Sequence, residues 1–204
     1  MYSLIKRFFD LILSSILIVF LLPILIIISI VVRLNLGSPI IFCQQRPGLN
    51  SKVFGLKKFR TMTDNRDLNG NLLPDRERIT KLGSFLRKSS LDELPSLFNI
   101  LKGDMSFVGP RPLLVEYLDY YTEEEKIRHS VPPGLTGLAQ VSGRNNLSWD
   151  KRLKIDIDYV NNKSFILDMK ILYKTFIKVI RKEDVVVVPS TKFGKLSEER
   201  NEYK

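Results

Sequence analysis

The chain opens with one long apolar block and then breaks into short alternating segments. Residues Leu11 to Val32 are almost wholly hydrophobic, interrupted only by Ser14, Ser15, Pro23 and Ser29. As a helix, such a run is long enough to cross ~30 Å of hydrocarbon. A secretory signal fits poorly, because the run is too long and no small-residue cleavage site follows it. That leaves a plain spanning anchor, or a helix-break-helix that enters and leaves by the same face. Two features favour the second. Pro23 sits mid-run, where it removes a backbone donor and clashes with the Val19 carbonyl. Lys6 and Arg7 precede the run and Arg33 follows it, so both flanks carry charge that prefers the cytoplasmic side. The sequence therefore predicts a re-entrant membrane element over residues 1–36, broken at Pro23.

Beyond it, alternation predicts strands at Ile40 to Gln44 and Val53 to Arg60, joined as a hairpin through Arg46-Pro47-Gly48-Leu49-Asn50. Asp64 to Arg78 is polar around Asn-Gly-Asn and reads as a surface loop. Helical patterns cover Lys81 to Lys88, Leu91 to Leu101 (ended by Gly103), Tyr117 to Arg128, Trp149 to Val160 and Phe165 to Lys182, with a short extended piece at Leu138 to Val141. The fold class is α+β, mainly helical with a small β-hairpin: a membrane element, a cytoplasmic domain over 37–188 and a charged, frayed tail over 189–204. Lys170, Lys174, Lys178 and Lys182 recur at i, i+4. That stripe suits either an interfacial helix at headgroup level or a core helix with a solvated lysine face.

Composition narrows the partners. A chain of 204 residues with 44% hydrophobic content sustains one core and excludes a disordered protein. A net charge of +10 calls for an anionic partner. The apolar run turns that toward a membrane surface or phosphorylated substrates, with no nucleic acid expected. Cys43 is the one cysteine and His129 the one histidine, which excludes an intrachain disulfide and a His/Cys zinc cluster.

The strongest chemical signal is Leu91 to Pro112, LDELPSLFNILKGDMSFVGPRP. Asp92 and Glu93 form an acid pair that can hold a divalent metal or attack phosphorus. Arg111 sits between Pro110 and Pro112, a stiff corner that presents a guanidinium for bidentate phosphate binding. Ser90-Leu91-Asp92-Glu93 also fits a capping box, which would make Glu93 structural. Pro95 argues against that register, because proline is costly at the fifth helical position and favoured at the first. The helix is expected to start at Pro95, with the acids just before its positive dipole end. Lys58, Arg60 and Arg144 are further candidate phosphate ligands, while Asp156 and Asp158 default to the surface of their helix.

Several stretches together resemble a known family: KRFFD at Lys6 to Asp10, QQRPGL at Gln44 to Leu49, KFRTM at Lys58 to Met62, LDELPSLFNILKGDMSFVGPRPLL at Leu91 to Leu114, and PGLTGLAQVSGRN at Pro133 to Asn145. The chain is similar to the small monotopic phosphoglycosyl transferases, the bacterial sugar transferases that start lipid-linked glycan assembly. Its nearest likeness is to members that transfer diacetylbacillosamine 1-phosphate to undecaprenyl phosphate. The resemblance implies that a UDP-sugar (a UDP-HexNAc or UDP-diacetamidosugar) and a polyprenyl phosphate give a polyprenyl diphosphate-sugar and UMP. It implies Asp92 as nucleophile, Glu93 with Asp92 as Mg²⁺ ligands, and Lys58, Arg87, Arg111 and Arg144 around the phosphates, with Asp156 supporting the site. It also implies the cytoplasmic leaflet of the bacterial inner membrane, with downstream glycosyltransferases consuming the product. One departure is visible: the family's membrane break often carries Ser-Pro or Pro-Pro, and here Leu22 precedes Pro23.

Two other readings compete. A membrane-anchored basic protein binding anionic lipid or nucleic acid explains the charge but not the acid pair or the proline-flanked arginine. A metal-dependent hydrolase of UDP-sugars or lipid phosphates would use the same acid pair without an acceptor lipid.

Overall fold

The apolar block forms helix α1 (Tyr2–Leu36), helical throughout with Pro23 inside it. The structure, a computed structural model, describes residues 2–143, 147–181 and 194–201. The predicted division into two helices at Pro23 does not occur. A proline forfeits one backbone hydrogen bond, which the adjoining turns of an apolar helix can absorb. The helix is long and apolar enough to cross a membrane, yet only 17% of its most apolar stretch is buried. Asp10, Ser14, Leu25, Ile28 and Val32 make a buried stripe at helical spacing, and Leu13, Leu17, Ile18 and Leu21 pack on the core between them. Phe8, Ile16, Phe20, Ile27 and Leu34 lie exposed.

Both ends of α1 are fastened to the rest of the chain. Near the start, the Arg7 guanidinium donates to the carbonyls of Ile100 (2.6 Å) and Leu101 (2.7 Å). Asp10 accepts from the Phe107 amide at 3.1 Å, and Lys6 pairs with Asp168. At the far end, Arg60 donates to the carbonyls of Leu36 (3.1 Å) and Ser38 (2.9 Å). The Lys-Arg-Phe-Phe-Asp stretch is thus a docking device, its polar groups satisfied by backbone and side chains of the domain.

The predicted hairpin forms from β1 (Ile41–Pro47) and β2 (Val53–Phe59), antiparallel, with Phe42 opposite Lys58 and Arg46 opposite Phe54. A single turn, α2 (Asp75–Arg78), and α3 (Lys81–Lys88) follow, α3 being capped by Thr80 Oγ1 accepting from the Gly83 amide. The acid pair lies in a 3₁₀ turn, Leu91–Ser96, that runs into α4 (Leu97–Lys102). Gly103 ends α4 at φ 98°, the left-handed conformation a C-terminal glycine supplies. Next come β3 (Ser106–Val108), α5 (Glu123–Lys126), β4 (Gly134–Thr136), α6 (Leu138–Ser142), α7 (Trp149–Asn162), α8 (Phe165–Arg181) and α9 (Leu196–Asn201). Strands β3 and β4 pair in parallel, a second small sheet that sequence patterning did not reveal.

Three expectations need correcting. Leu138 to Val141 is helical rather than extended, the strand lying earlier at Gly134–Thr136. Tyr117 to Arg128 is not one helix: a 3₁₀ segment at Val115–Tyr120 precedes α5, whose N-cap Thr122 forms the capping box with Glu125 that restarts the chain. The described part of the tail is not frayed. Leu196 is fully buried, and Arg200 bonds Glu125 (2.6 Å) and Asp150 (2.8 Å).

Helix α8 carries its apolar surface outward as well as inward. Ile166, Tyr173, Phe176 and Ile180 are exposed, and Lys170 and Lys174 are exposed among them. Lys182, the last member of the expected stripe, lies outside the described residues.

The close approach of α3 to the segment after β2 supplies a test. A Cβ built on Gly83 would lie 1.9 Å from the Thr61 carbonyl oxygen, a backbone atom with no freedom to move aside. Gly83→Ala should therefore destabilise the protein by about 1–3 kcal/mol despite alanine's better helix propensity, read as a lower thermal midpoint in detergent.

Candidate active site

The site begins with a structural problem that a two-stranded hairpin always has: the outer edge of β2 carries unpaired backbone groups. Side chains from the acidic segment meet them. Ser96 Oγ donates to the Lys57 carbonyl (2.8 Å), Asn99 Oδ1 accepts from the Lys57 amide (3.0 Å), and Asn99 Nδ2 donates to the Gly55 carbonyl (2.9 Å). These bonds lay the Leu91–Lys102 segment along β2 and bring its acid pair to Lys58. Glu93 Oε1 receives Lys58 Nζ at 2.6 Å and lies 3.9 Å from Arg111 Nη2.

The capping-box alternative for Glu93 does not form. Ser90 adopts the left-handed conformation at φ 57° and makes no side-chain cap bond. The helix proper starts at Leu97, two residues after Pro95, because the 3₁₀ turn takes up the proline. Asp92 is buried with 8% of its surface exposed. Burial, and then the neighbouring Glu93 charge, push its pKa up to about 6, against the pull of Lys58, Arg87 and Arg111. Arg87 reaches this group from α3, with its Nε donating to Thr61 Oγ1 at 3.0 Å.

Arg111 is presented by interlocked backbones. Gly109 N–H donates to the Thr136 carbonyl (2.9 Å), and Gly134 N–H to the Pro110 carbonyl (3.0 Å). A Cβ on Gly134 would lie 2.1 Å from the Gly109 amide nitrogen, so only glycine permits this approach. The Arg111 carbonyl is held from below by Arg128 Nη2 at 2.7 Å. The Arg111 guanidinium itself is about half exposed, 47% of its side-chain surface, at an open cleft lined by Lys58, Glu93, Ser96, Arg111 and Gly134 among others.

Of the predicted site residues, Lys58, Arg87, Asp92, Glu93 and Arg111 come together. Arg60 does not join them: its donors are engaged by Leu36, Ser38 and Met62 carbonyls and by Asp64, so it is a fastener for the end of α1. Asp156 is neither a helix-surface residue nor a cleft residue. It is buried and pairs with Arg128 through Nε (3.2 Å) and Nη2 (2.8 Å). It connects to the cleft through Arg128, which also donates to the Arg111 carbonyl. Arg144 lies outside the described residues. Sequence reading missed Arg128, Ser96 and Asn99, whose roles depend on long-range partners that no local spacing announces.

The acid pair suits a hard divalent cation of limited protein ligation. Among the described residues no cluster of three His, Cys, Asp or Glu exists to cage a metal. Two adjacent carboxylates that leave the remaining positions to substrate phosphate and water match what Mg²⁺ accepts.

The buried pair generates a prediction. Asp156→Ala strands the Arg128 charge in the interior, which should cost about 3–5 kcal/mol of stability. Chemical denaturation would register that loss.

The sequence matches the bacterial sugar transferase family over residues 1–182. It is 54% identical over 180 residues to the uncharacterized sugar transferase EpsL of Bacillus subtilis (strain 168), covering 88% of this chain and 89% of that one. It is 40% identical over 195 residues to the undecaprenyl-phosphate galactose phosphotransferase of Salmonella typhimurium, covering 87% of this chain but 41% of that one. A UDP-glucose:undecaprenyl-phosphate glucose-1-phosphate transferase of Klebsiella pneumoniae is 40% identical over 183 residues, with 85% and 39% coverage. The chain thus spans most of the Bacillus protein and about two fifths of the other two. Matched nearly end to end, and with Glu93, Lys58 and Arg111 at one cleft beside the buried Asp92, the chain belongs to the bacterial sugar transferase family.

Proposed function

We propose that the protein transfers a sugar 1-phosphate from a UDP-sugar to polyprenyl (undecaprenyl) phosphate and releases UMP. The observation that carries this reading is Asp92, a buried carboxylate with a raised pKa, set among Lys58, Arg87 and Arg111. Support for the substrate class comes from the Salmonella and Klebsiella relatives, whose names carry undecaprenyl phosphate and a hexose.

In this reading the Asp92 carboxylate attacks the sugar-linked β-phosphorus. The bond from that phosphorus to the bridging oxygen breaks, and its electron pair leaves with UMP. The phosphosugar remains on Asp92 as an acyl phosphate. An oxygen of the lipid phosphate then attacks the same phosphorus and returns the carboxylate. Lys58 and Arg111 hold the phosphate oxygens as charge moves onto the leaving group. Glu93, with Asp92, would hold Mg²⁺, which when bound supplies positive charge against the diphosphate.

Membrane attachment follows from α1 and α8. Because α1 is fastened to the domain at both ends, we place it in one leaflet with its exposed apolar face toward lipid. The mixed Lys and apolar surface of α8 suits the headgroup level. The lipid phosphate and a cytoplasmic UDP-sugar would then meet at one interface of the bacterial inner membrane, and glycosyltransferases downstream would extend the product.

The direct test is UMP release by detergent-solubilised protein with Mg²⁺, across UDP-glucose, UDP-galactose, UDP-HexNAc and UDP-diacetamidosugars, with and without polyprenyl phosphate. Lipid-dependent UMP from one donor supports the transferase. UMP from a donor without lipid at the same rate would make it a hydrolase instead. Asp92→Asn should remove turnover, whereas a non-catalytic lipid binder would be indifferent to it.

Protonation disables a carboxylate nucleophile, so kcat/KM for the UDP-sugar should fall about tenfold per pH unit below about 6, the Asp92 pKa. Lys58→Met removes a charge that holds that pKa down, so its acid limb should move to higher pH. An acid limb that stays in place would detach Asp92 from the chemistry.

A further inference from the structure

One cation at the cleft has no task in the mechanism above. Arg46 lies on β1 in the Gln-Gln-Arg-Pro-Gly-Leu stretch. Residues opposite each other in an antiparallel pair share a face, and faces alternate along each strand. The register pairs Arg46 with Phe54, Gln44 with Leu56 and Phe42 with Lys58, which puts Arg46 on the same face as Leu56 and Lys58. That face lines the cleft whose other walls include Glu93 and Arg111.

The surroundings of Arg46 are those of a residue missing an anion. Its Nη2 donates to the neutral Gln44 Oε1 at 2.7 Å. Its Nε is buried with no acceptor. Burial and the adjacent Arg111 charge make its own charge costly to hold, against a weaker pull from Tyr117, Tyr121 and Glu116. An anion shared with Arg111 would relieve both effects, and a guanidinium fork is shaped for phosphate.

Position along the hairpin says which phosphate. The step in register from Phe42, opposite Lys58, to Arg46 is about 13 Å of strand. Lys58 stands near the Ile41–Phe59 end, where the chain leaves α1, and Arg46 toward the turn. The C-terminal part of α1 packs there, Val32 and Leu36 with Phe59 and Ile40, which makes that end the lipid side of the inference. The soluble nucleotide would occupy the turn end. We infer that Arg46, with Arg111, binds the phosphate that departs as UMP, the α-phosphate of the UDP-sugar. The inference rests on the transferase reading, and makes Arg46 a donor-side residue rather than a lipid-side one.

Full-length protein carrying Asp92→Asn allows binding to be measured without turnover. UMP and uridine would be titrated into it in detergent, with and without Arg46→Met and Arg46→Lys. The expected result is a loss of UMP affinity of about tenfold or more in Arg46→Met, a smaller loss in Arg46→Lys, and uridine binding unchanged. In the turnover-competent protein, KM for the UDP-sugar should rise similarly while KM for polyprenyl phosphate stays within about twofold. Should Arg46→Met fail to fold, Arg46→Lys carries the same comparison. Folded variants with wild-type UMP affinity would overturn the inference and leave the transferase reading standing. A rise in the lipid KM with UMP binding unchanged would overturn the assignment to the nucleotide. A parent protein that binds no UMP and transfers nothing would end both.

Discussion

The open edge of β2 is the constraint on which the site depends. Two strands alone cannot satisfy their outer backbone groups, and among the described residues no third strand does so. Ser96 and Asn99 take that place from a segment that is itself not extended. Because Asp92 and Glu93 lie only a few residues before Ser96, the same bonds that seal the sheet edge set the acid pair against Lys58. Fold and chemistry share one seam, and loss of the Asn99 amide would be felt at Asp92.

A second seam joins the apolar helix α1 to that domain. Arg7 caps the last carbonyls of α4, the helix that continues from the acidic turn, and cations favour that end of a helix. Arg60 holds the opposite end of α1. A helix tied at both ends fixes its exposed apolar face relative to the cleft. In the proposed reaction between a lipid headgroup and a soluble nucleotide, that fixed relation would itself position the substrates.

Much of this was legible beforehand because it is local. Period-2 alternation found the hairpin, Gly103 marked the end of α4, and the proline pair flagged Arg111. What escaped depended on partners far along the chain. Asp156 looks like any helix-surface acid until Arg128 is brought onto it, and Arg60 looks like a phosphate ligand until the end of α1 arrives. Pro23 predicted a break that the helix absorbs, since one lost hydrogen bond does not outweigh an otherwise continuous apolar helix. Strands β3 and β4 are too short for alternation to show, and they exist because glycines let two backbones touch.

The central claim is that the phosphosugar rests on the enzyme between donor and acceptor. Isotope exchange tests it most directly: labelled UMP incubated with unlabelled UDP-sugar and enzyme, in the absence of any polyprenyl phosphate. A covalent intermediate on Asp92 predicts label appearing in the UDP-sugar, and none with Asp92→Asn. Robust lipid-dependent transfer without any such exchange would contradict the account, and would mean that both substrates react in a single ternary complex.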